Sequence, residues 1–359
     1  MKNNKKTVNL FLAHTEFHIM VSVHIALKCY SSEKYTNQIY YTKHRERLNK
    51  LLINSKVGNN IIIKGLNYEP EKEHVKFLEN ITCERFFFFQ EHSIFNIYII
   101  KKLKKKGVSI ILLEDGAKAY QRNEKKQKFI LILKNTLKNY IALLHSRLLL
   151  FDFFLINTQK YGSNKYIDEI WLFYPELFDL MKINDKKRIF QVPKLDNNSL
   201  YLISNLFNYH PEDFILDKQV VFYLNQPFDF PEMQNIEINF IEKLSTKFKD
   251  SHLIIKLHPL SQHDAIKKYG SLPNVIIIKS NIPAELYISS LHSSIVIAIC
   301  STALFFNNPA CNFYYIYPIY SNVYKIDLKF PNHIKLVHSV DDLSFPHLLN
   351  NVKLYSNIL

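Results

Sequence analysis

Two short segments carry the residues best suited to chemistry. Leu113-Glu114-Asp115-Gly116 ends an apolar run in the first half of the chain, and Lys256-Leu257-His258-Pro259 ends another in the second half. Each sets a titratable side chain where a buried strand opens into a loop, which is where open α/β sheets bind their ligands. A carboxylate at Asp115 can take the proton of an attacking hydroxyl, and an imidazole at His258 can give one to a departing phosphate. Gly116 permits a sharp turn that leaves Asp115 facing outward. Glu114 alternates to the other face of the strand and reads as a structural partner.

The same residues have plainer readings. Asp-Gly after a strand is an ordinary turn, and with 15 histidines and 13 prolines roughly one His-Pro pair is expected by chance. A second pair, His210-Pro211, lies in a polar stretch, whereas His258 closes the apolar run Leu253 to Leu257 with Lys256 two positions before it. Pro259 keeps His258 out of helical geometry. Ser301-Thr302 follows the apolar run Ile295 to Cys300 and is expected to open a helix, where hydroxyls and free backbone amides suit a phosphate; simple N-capping explains them equally well. Glu285, at the start of the preceding helix, suits a ribose diol or balances the helix dipole.

Missing motifs narrow the chemistry. The six glycines, at positions 58, 65, 107, 116, 162 and 270, are scattered, so neither a Walker A loop nor a dinucleotide fingerprint can form. No Asp-x-Asp pair is present to hold a divalent ion on a nucleoside diphosphate, and no Gly-x-Ser-x-Gly elbow suggests a serine hydrolase. Cys29, Cys83, Cys300 and Cys311 stand far apart and read as buried thiols of a reducing compartment. The net charge of +14 points to an anionic partner, or to lysines that only solvate a surface. No recognition motif for DNA or RNA accompanies it, so nucleic acid is not the expected partner.

The elements that must position these residues alternate along the chain. Val8 to Ala13, Gln38 to Thr42, Ile61 to Lys64, Arg85 to Gln90 and Val108 to Leu113 read as strands. Helices are expected from Glu16 to Tyr30 behind a Thr15 cap, in a basic stretch through Leu52, and from Ile94 to Lys106 with Gly107 as C-cap. A second set starts after a connector, with strands at Gln219 to Leu224, Leu253 to Leu257, Val275 to Ile278, Ile295 to Ile299 and Phe313 to Tyr317. Its helices are expected at Ile236 to Phe248 and Glu285 to Leu291. This βαβ pattern predicts two largely parallel sheets. The expected division is an N-terminal domain over 1–192, a connector over 193–217, a C-terminal nucleotide-binding domain over 218–340 and a tail over 341–359.

Val8 to Ala13 is too short for a signal-peptide core, and Ile141 to Ile156 falls short of the roughly 20 residues of a spanning helix. A cytoplasmic protein is expected. Lys125, Lys126, Lys128, Lys134 and Lys138 beside that apolar stretch suit either peripheral contact with an anionic membrane or an ordinary core helix.

The ordered set of acid-Asp-Gly, then Lys-x-His-Pro, Glu and a hydroxyl pair resembles bacterial sialyltransferases of the lipooligosaccharide and capsule type, glycosyltransferase family 52 and its polysialyltransferase relatives. The resemblance implies an α/β GT-B-like fold, two Rossmann-like domains facing a central cleft. It implies an inverting transfer, independent of metal and of any other cofactor, from CMP-sialic acid to a hydroxyl of a lipooligosaccharide, O-antigen or capsule glycan. The acceptor would be galactose-type or sialylated and lipid-linked, reached at the inner face of the cytoplasmic membrane. By the resemblance Asp115 is the base and His258 the acid. Lys256, Pro259, Ser301 and Thr302 serve the nucleotide phosphate, and Glu285 the ribose. His14, Thr15, Glu16 and His18 form the first strand-to-helix loop near the donor sugar. The sequence departs in having Ser-Thr for Ser-Ser and His-Thr-Glu-Phe-His in the first loop. The second departure leaves the donor sugar open, with CMP-Kdo or a UDP-sugar as alternatives. A non-catalytic nucleotide- or glycan-binding module is the reading from a different class.

Overall fold

The computed structural model describes residues 6–42, 52, 54–66, 71–91, 94–121, 133–134, 136–138, 140–141, 144, 161–180, 187–214, 217–227, 230–258, 268–323 and 326–346. The chain divides into two compact units, Met1–His210 with Asp327–Lys329, and Pro211–Ile326 with Phe330–Leu359.

The first unit is built on a sheet of eight strands, β1 (Thr7–Ala13), β2 (Tyr35–Thr42), β3 (Lys56–Val57), β4 (Ile61–Leu66), β5 (Arg85–Phe88), β6 (Ser109–Leu113), β7 (Glu169–Leu172) and β8 (Arg188–Gln191). Their spatial order is β3-β4-β2-β1-β5-β6-β7-β8. Pairing is parallel except where the two-residue β3 runs antiparallel to β4. Parallel sheets are covered on both faces, so their strands are apolar throughout rather than alternating: Leu10 to Ala13, Phe86 to Phe88 and Ile110 to Leu113 are all buried. The chain moves from β1 to β2 and β4, returns to lay β5 against the other side of β1, and continues outward through β6 and β7. The reversal between β1 and β5 is the topological switch point of this sheet.

Helices α1 (Glu16–Cys29), α2 (Glu71–Asn80), α3 (Ile94–Lys105) and α4 (Asn197–Leu206) belong to this unit. Thr15 caps α1, its side-chain oxygen accepting from the His18 amide at 3.2 Å. Lysines 102, 104 and 105 fill the last turn of α3 and favour its negative end. Gly107 follows at φ +81°, a left-handed conformation that suits glycine. The stretch expected as a connector contains α4, whose cap Asp196 accepts from the Ser199 amide at 3.0 Å. Lys28 pairs with the same carboxylate, and His24 Nε2 meets the Pro193 carbonyl at 2.8 Å, so α4 is fastened to α1.

The second unit repeats the logic with β9 (Val220–Leu224), β10 (His252–Lys256), β11 (Val275–Ile278), β12 (Ser294–Ala298), β13 (Cys311–Tyr315) and β14 (Ile334–Leu336). The order β11-β10-β9-β12-β13-β14 is that of a Rossmann sheet, with its switch point between β9 and β12. All its pairs are parallel. Helices α5 (Pro231–Lys247) and α6 (Ala284–Ser290) complete it. α5 packs Phe240, Ile241 and Leu244 into a core with Val221, Leu253, Ile255, Ile295 and Ile297. Truncating one of these buried Ile side chains to Ala costs about 2–5 kcal/mol.

One expectation is corrected. Ser301-Thr302 opens a single 3-10 turn, Thr302–Phe305, and not a helix. Pro309 lies four residues past its end, and the residue before a proline avoids helical geometry, so the segment has no room to propagate. Strands β3, β7, β8 and β14 add to the sequence reading. The expected basic helix after Thr42, through Leu52, lies outside the described residues except for Leu52, and Lys125, Lys126, Lys128 and Pro259 lie outside them too. Among the described residues no helix is long and apolar enough to cross a membrane.

Candidate active site

In the first unit, register brings three strand ends to one edge of the sheet. Leu12 pairs with Phe88 and Phe88 with Leu112, so the loops after β1, β5 and β6 emerge side by side, two of them at the switch point. The β6 loop supplies Asp115, preceding Gly116 at φ +66°. The β1 loop supplies His14 and, one turn into α1, His18. The β5 loop supplies Phe89, Gln90 and Glu91.

His18 and Asp115 meet directly, His18 Nε2 lying 2.9 Å from Asp115 Oδ1. The His14 backbone N–H donates to His18 Nδ1 at 3.2 Å. An acceptor Nδ1 puts the proton of the neutral ring on Nε2, which therefore donates to the carboxylate. The imidazole is stacked on Phe89, with centroids 3.9 Å apart and planes at 4°. Its side chain is 1% exposed, against 34% for that of Asp115, so the carboxylate is the member of the pair that solvent and ligands can reach. Burial pushes the Asp115 carboxyl up. The hydrogen bond and field of His18, the field of His14 and a bond from Gln90 outweigh it and hold Asp115 below its ordinary value.

Glu114 is the reverse case. It is 2% exposed, and burial pushes it up to about 8 against the Tyr120 hydroxyl, which donates to Oε2, and the Phe173 amide, which donates to the same oxygen at 2.7 Å. Two adjacent carboxyls are thus driven apart, one toward a standing negative charge and the other toward neutrality. Glu114 staples the 3-10 turn Gly116–Tyr120 to the end of β7, which fixes the backbone that carries Asp115.

The other first-loop residues have separate duties. His14 Nδ1 pairs with the Thr42 hydroxyl at the end of β2. Glu16 Oε1 accepts from the Tyr41 hydroxyl at 3.0 Å, and Thr15 is the helix cap. Glu91, which sequence reasoning missed, is 4% exposed, pushed up to about 7 by burial, and accepts from the Gly162 amide.

In the second unit, Lys256 and Ala298 are both in register with Leu224. The loops carrying His258 and Ser301 therefore leave the sheet on either side of β9. The β9 loop links them: Asn225 Oδ1 accepts from the His258 amide at 3.4 Å, and Cys300 Sγ donates to Gln226 Oε1 at 3.4 Å. Asn225 is held from behind, its Nδ2 donating at 2.9 Å to Glu237, a buried carboxylate that also accepts from Tyr223 at 2.7 Å and Tyr269 at 2.8 Å. Asn225, Gln226 and Glu237 were also missed, having no spacing signature.

Lys256 is 7% exposed. Its Nζ donates to the Ser280 carbonyl at 2.9 Å and lies 5.4 Å from the centre of the Tyr287 ring. Glu285, 8% exposed, is pushed up to about 7 by burial, opposed by its own amide and by the charge of Lys256. Ser301 Oγ accepts from the Ala303 amide at 3.3 Å, and its carbonyl accepts from the Tyr315 hydroxyl at 2.8 Å. Thr302 begins the 3-10 turn. Lys256, His258, Glu285, Ser301 and Thr302 thus belong to one unit, and His14, Thr15, Glu16, His18, Glu114 and Asp115 to the other. Among the described residues no group of three or more His, Cys, Asp or Glu is placed to hold a metal ion.

The first unit thus carries a reachable carboxylate, Asp115, at its switch point, and the second unit carries His258 and Ser301 on loops that leave the sheet on either side of β9. Among solved structures, a sialyltransferase from Photobacterium damsela is similar over 87% of this chain and 74% of its own, at 15% identity and a TM-score of 0.50. Residues 113-497 of the sialyltransferase from Photobacterium damselae, corresponding to its GT-B domain, align over 86% of this chain and 91% of that one, at 16% identity and a TM-score of 0.51. UDP-GlcNAc 2-epimerase from Neisseria meningitidis, bound to UDP-GlcNAc, covers 83% of this chain and 79% of its own, at 12% identity and a TM-score of 0.52. These likenesses show the fold, which is GT-B. No curated protein matches the chain. The family model for alpha-2,8-polysialyltransferase (POLYST) matches residues 1–321, so the chain belongs to that family and is a glycosyltransferase of the sialyltransferase kind.

Proposed function

We propose that the protein is an inverting transferase that moves sialic acid from CMP-sialic acid to a hydroxyl of a bacterial surface glycan. The observation that carries this reading is Asp115, a carboxylate held ionised by His18 at a switch point while a third of its side chain stays open. The acceptor oxygen attacks the anomeric carbon of the donor and forms the new C–O bond. The bond from that carbon to the phosphate oxygen of CMP breaks, its electron pair leaving with the phosphate. The hydroxyl proton passes to Asp115, and His258 donates a proton to the departing phosphate.

A monophosphate leaving group asks for less neutralisation than a diphosphate. In our reading Lys256, Pro259, Ser301 and Thr302 serve the nucleotide phosphate and Glu285 the ribose. The acceptor is a galactose-type or sialylated glycan carried on a lipid. Leu133, Leu137, Ile141 and Leu144 recur at helical spacing and are 44 to 59% exposed; with Lys134 and Lys138 among them, they support peripheral contact with the anionic inner face of the cytoplasmic membrane. In this scheme the first unit serves the acceptor and the second the nucleotide.

Thermal stabilisation by CMP, UDP and GDP, with and without magnesium, tests the donor assignment, because a ligand that binds only the native state raises its apparent stability. Selective stabilisation by CMP without magnesium is expected. Stabilisation by UDP alone would overturn the donor.

A further inference from the structure

Of the first-loop residues His14, Thr15, Glu16 and His18, one, His18, is hydrogen-bonded to Asp115. We propose that His18 is the positioning residue of Asp115: a fully buried imidazole, fixed in one tautomer, that donates to the carboxylate and aims it without itself touching a substrate. The inference deepens the proposed function and rests on Asp115 being the base.

Three contacts immobilise the ring. Phe89 covers one face at 3.9 Å, the His14 amide occupies Nδ1 at 3.2 Å, and Nε2 donates to Asp115 at 2.9 Å. The backbone is fixed as well, since the Thr15 cap accepts from the His18 amide. With 1% of its side chain exposed, His18 cannot reach a ligand.

The tautomer decides what the ring can do. In a Ser-His-Asp triad the imidazole keeps one nitrogen open to receive a proton. Here Nδ1 already accepts the His14 N–H and Nε2 already carries its proton, so neither nitrogen is open. The proton taken from the acceptor hydroxyl therefore stays on Asp115 and leaves to solvent through the exposed part of that side chain. The pair is a clamp and not a relay.

The consequence is an acid limb set by His18. The other groups whose fields or bonds involve Asp115 are His14 from the end of β1, Gln90 from the end of β5, and Glu114 and Tyr161. Burial, Glu114 and Tyr161 offer the carboxylate no stabilisation, so removing His18 leaves His14 and Gln90 alone against desolvation.

The test compares wild type with His18→Phe, which keeps a ring to stack on Phe89 but has no N–H, and His18→Gln, whose amide reaches the Nε2 position. In folded His18→Phe the acid limb of kcat/KM for donor turnover should move up by about one pH unit or more, the scale of a hydrogen bond to a charged group, and His18→Gln should bring it back toward wild type. An unmoved acid limb in folded His18→Phe overturns the proposal. Long-range 1H–15N NMR of the wild-type imidazole gives a readout that needs neither activity nor a folded variant. The Nε2–H form is expected, and an Nδ1–H form contradicts the clamp. Full turnover in Asp115→Asn would sink the base assignment instead, and the tautomer would still decide the pairing.

Discussion

Glu114 makes the fold sensitive to pH in a direction opposite to most carboxylates. Its folded value is raised to about 8 from an ordinary 4.5, chiefly by burial. The folded state therefore holds this proton more tightly than the unfolded chain does. Its contribution to stability is fully present below the unfolded value and is lost as pH rises through the folded one. At 1.36 kcal/mol per unit, raising the solution from about pH 5.5 to about pH 8.5 should cost the first unit about 3 kcal/mol through this group alone. Glu114→Gln keeps an oxygen for the Tyr120 hydroxyl and the Phe173 amide but cannot ionise, so it should remove that slope.

Glu91 and Glu285, both raised to about 7, act in the same direction, and His24 and His333, both lowered by burial, act in the other. All four are common to wild type and variant and cancel in the difference. The assay is urea unfolding of both proteins across that range, followed by fluorescence of the single tryptophan, Trp171, which lies on β7 beside the Glu114 staple. Glu114→Gln should gain on wild type steadily as pH rises. Parallel curves would mean that Glu114 is ionised in its buried site.

The same geometry fixes three further outcomes. Asp115→Asn should fold normally and lose donor turnover by roughly 10²- to 10⁴-fold, as general-base removal does; turnover within a few-fold of wild type would exclude the base role. Gly116→Ala should destabilise the first unit by about 1–2 kcal/mol, because φ +66° is strained for any residue with a Cβ; an unchanged denaturation midpoint would show that the turn adapts. Leu137→Glu with Ile141→Glu should reduce co-flotation with anionic vesicles while leaving binding of CMP unchanged, and equal flotation by wild type and variant would remove that face from membrane contact.

The strands were legible because parallel sheets demand largely apolar runs, and such runs stand out at Val8 to Ala13, broken only by Asn9, at Leu253 to Leu257, broken only by Lys256, and without a break at Ile295 to Ile299. β7 and β8 were not, since four residues such as Glu-Ile-Trp-Leu or Arg-Ile-Phe-Gln are too short and too mixed to declare a period. The 3-10 turn after Ser301 shows a cap without a helix: the hydroxyl signal is local, and Pro309 limits how far the turn can extend. At the candidate site, Asp115 stood out through its glycine and its position at a strand end. His18 stood out as a first-loop residue but not as the partner of Asp115, because it lies 97 positions away and only the placement of β1 beside β5, and β5 beside β6, brings them together. Glu237 and Asn225 were hidden for the same reason. A glutamate inside a helical pattern carries no mark that three donors await it.

In the proposed reaction, Asp115 and His258 serve one displacement at CMP-sialic acid as base and acid. This pairing is tested most directly by CMP release from CMP-sialic acid in the presence of a sialylated or galactose-terminated acceptor, measured for wild type, Asp115→Asn and His258→Ala at matched thermal stability. Acceptor-dependent release by wild type, with large losses in both variants, is the predicted result. Release that neither substitution impairs would exclude both residues from the reaction.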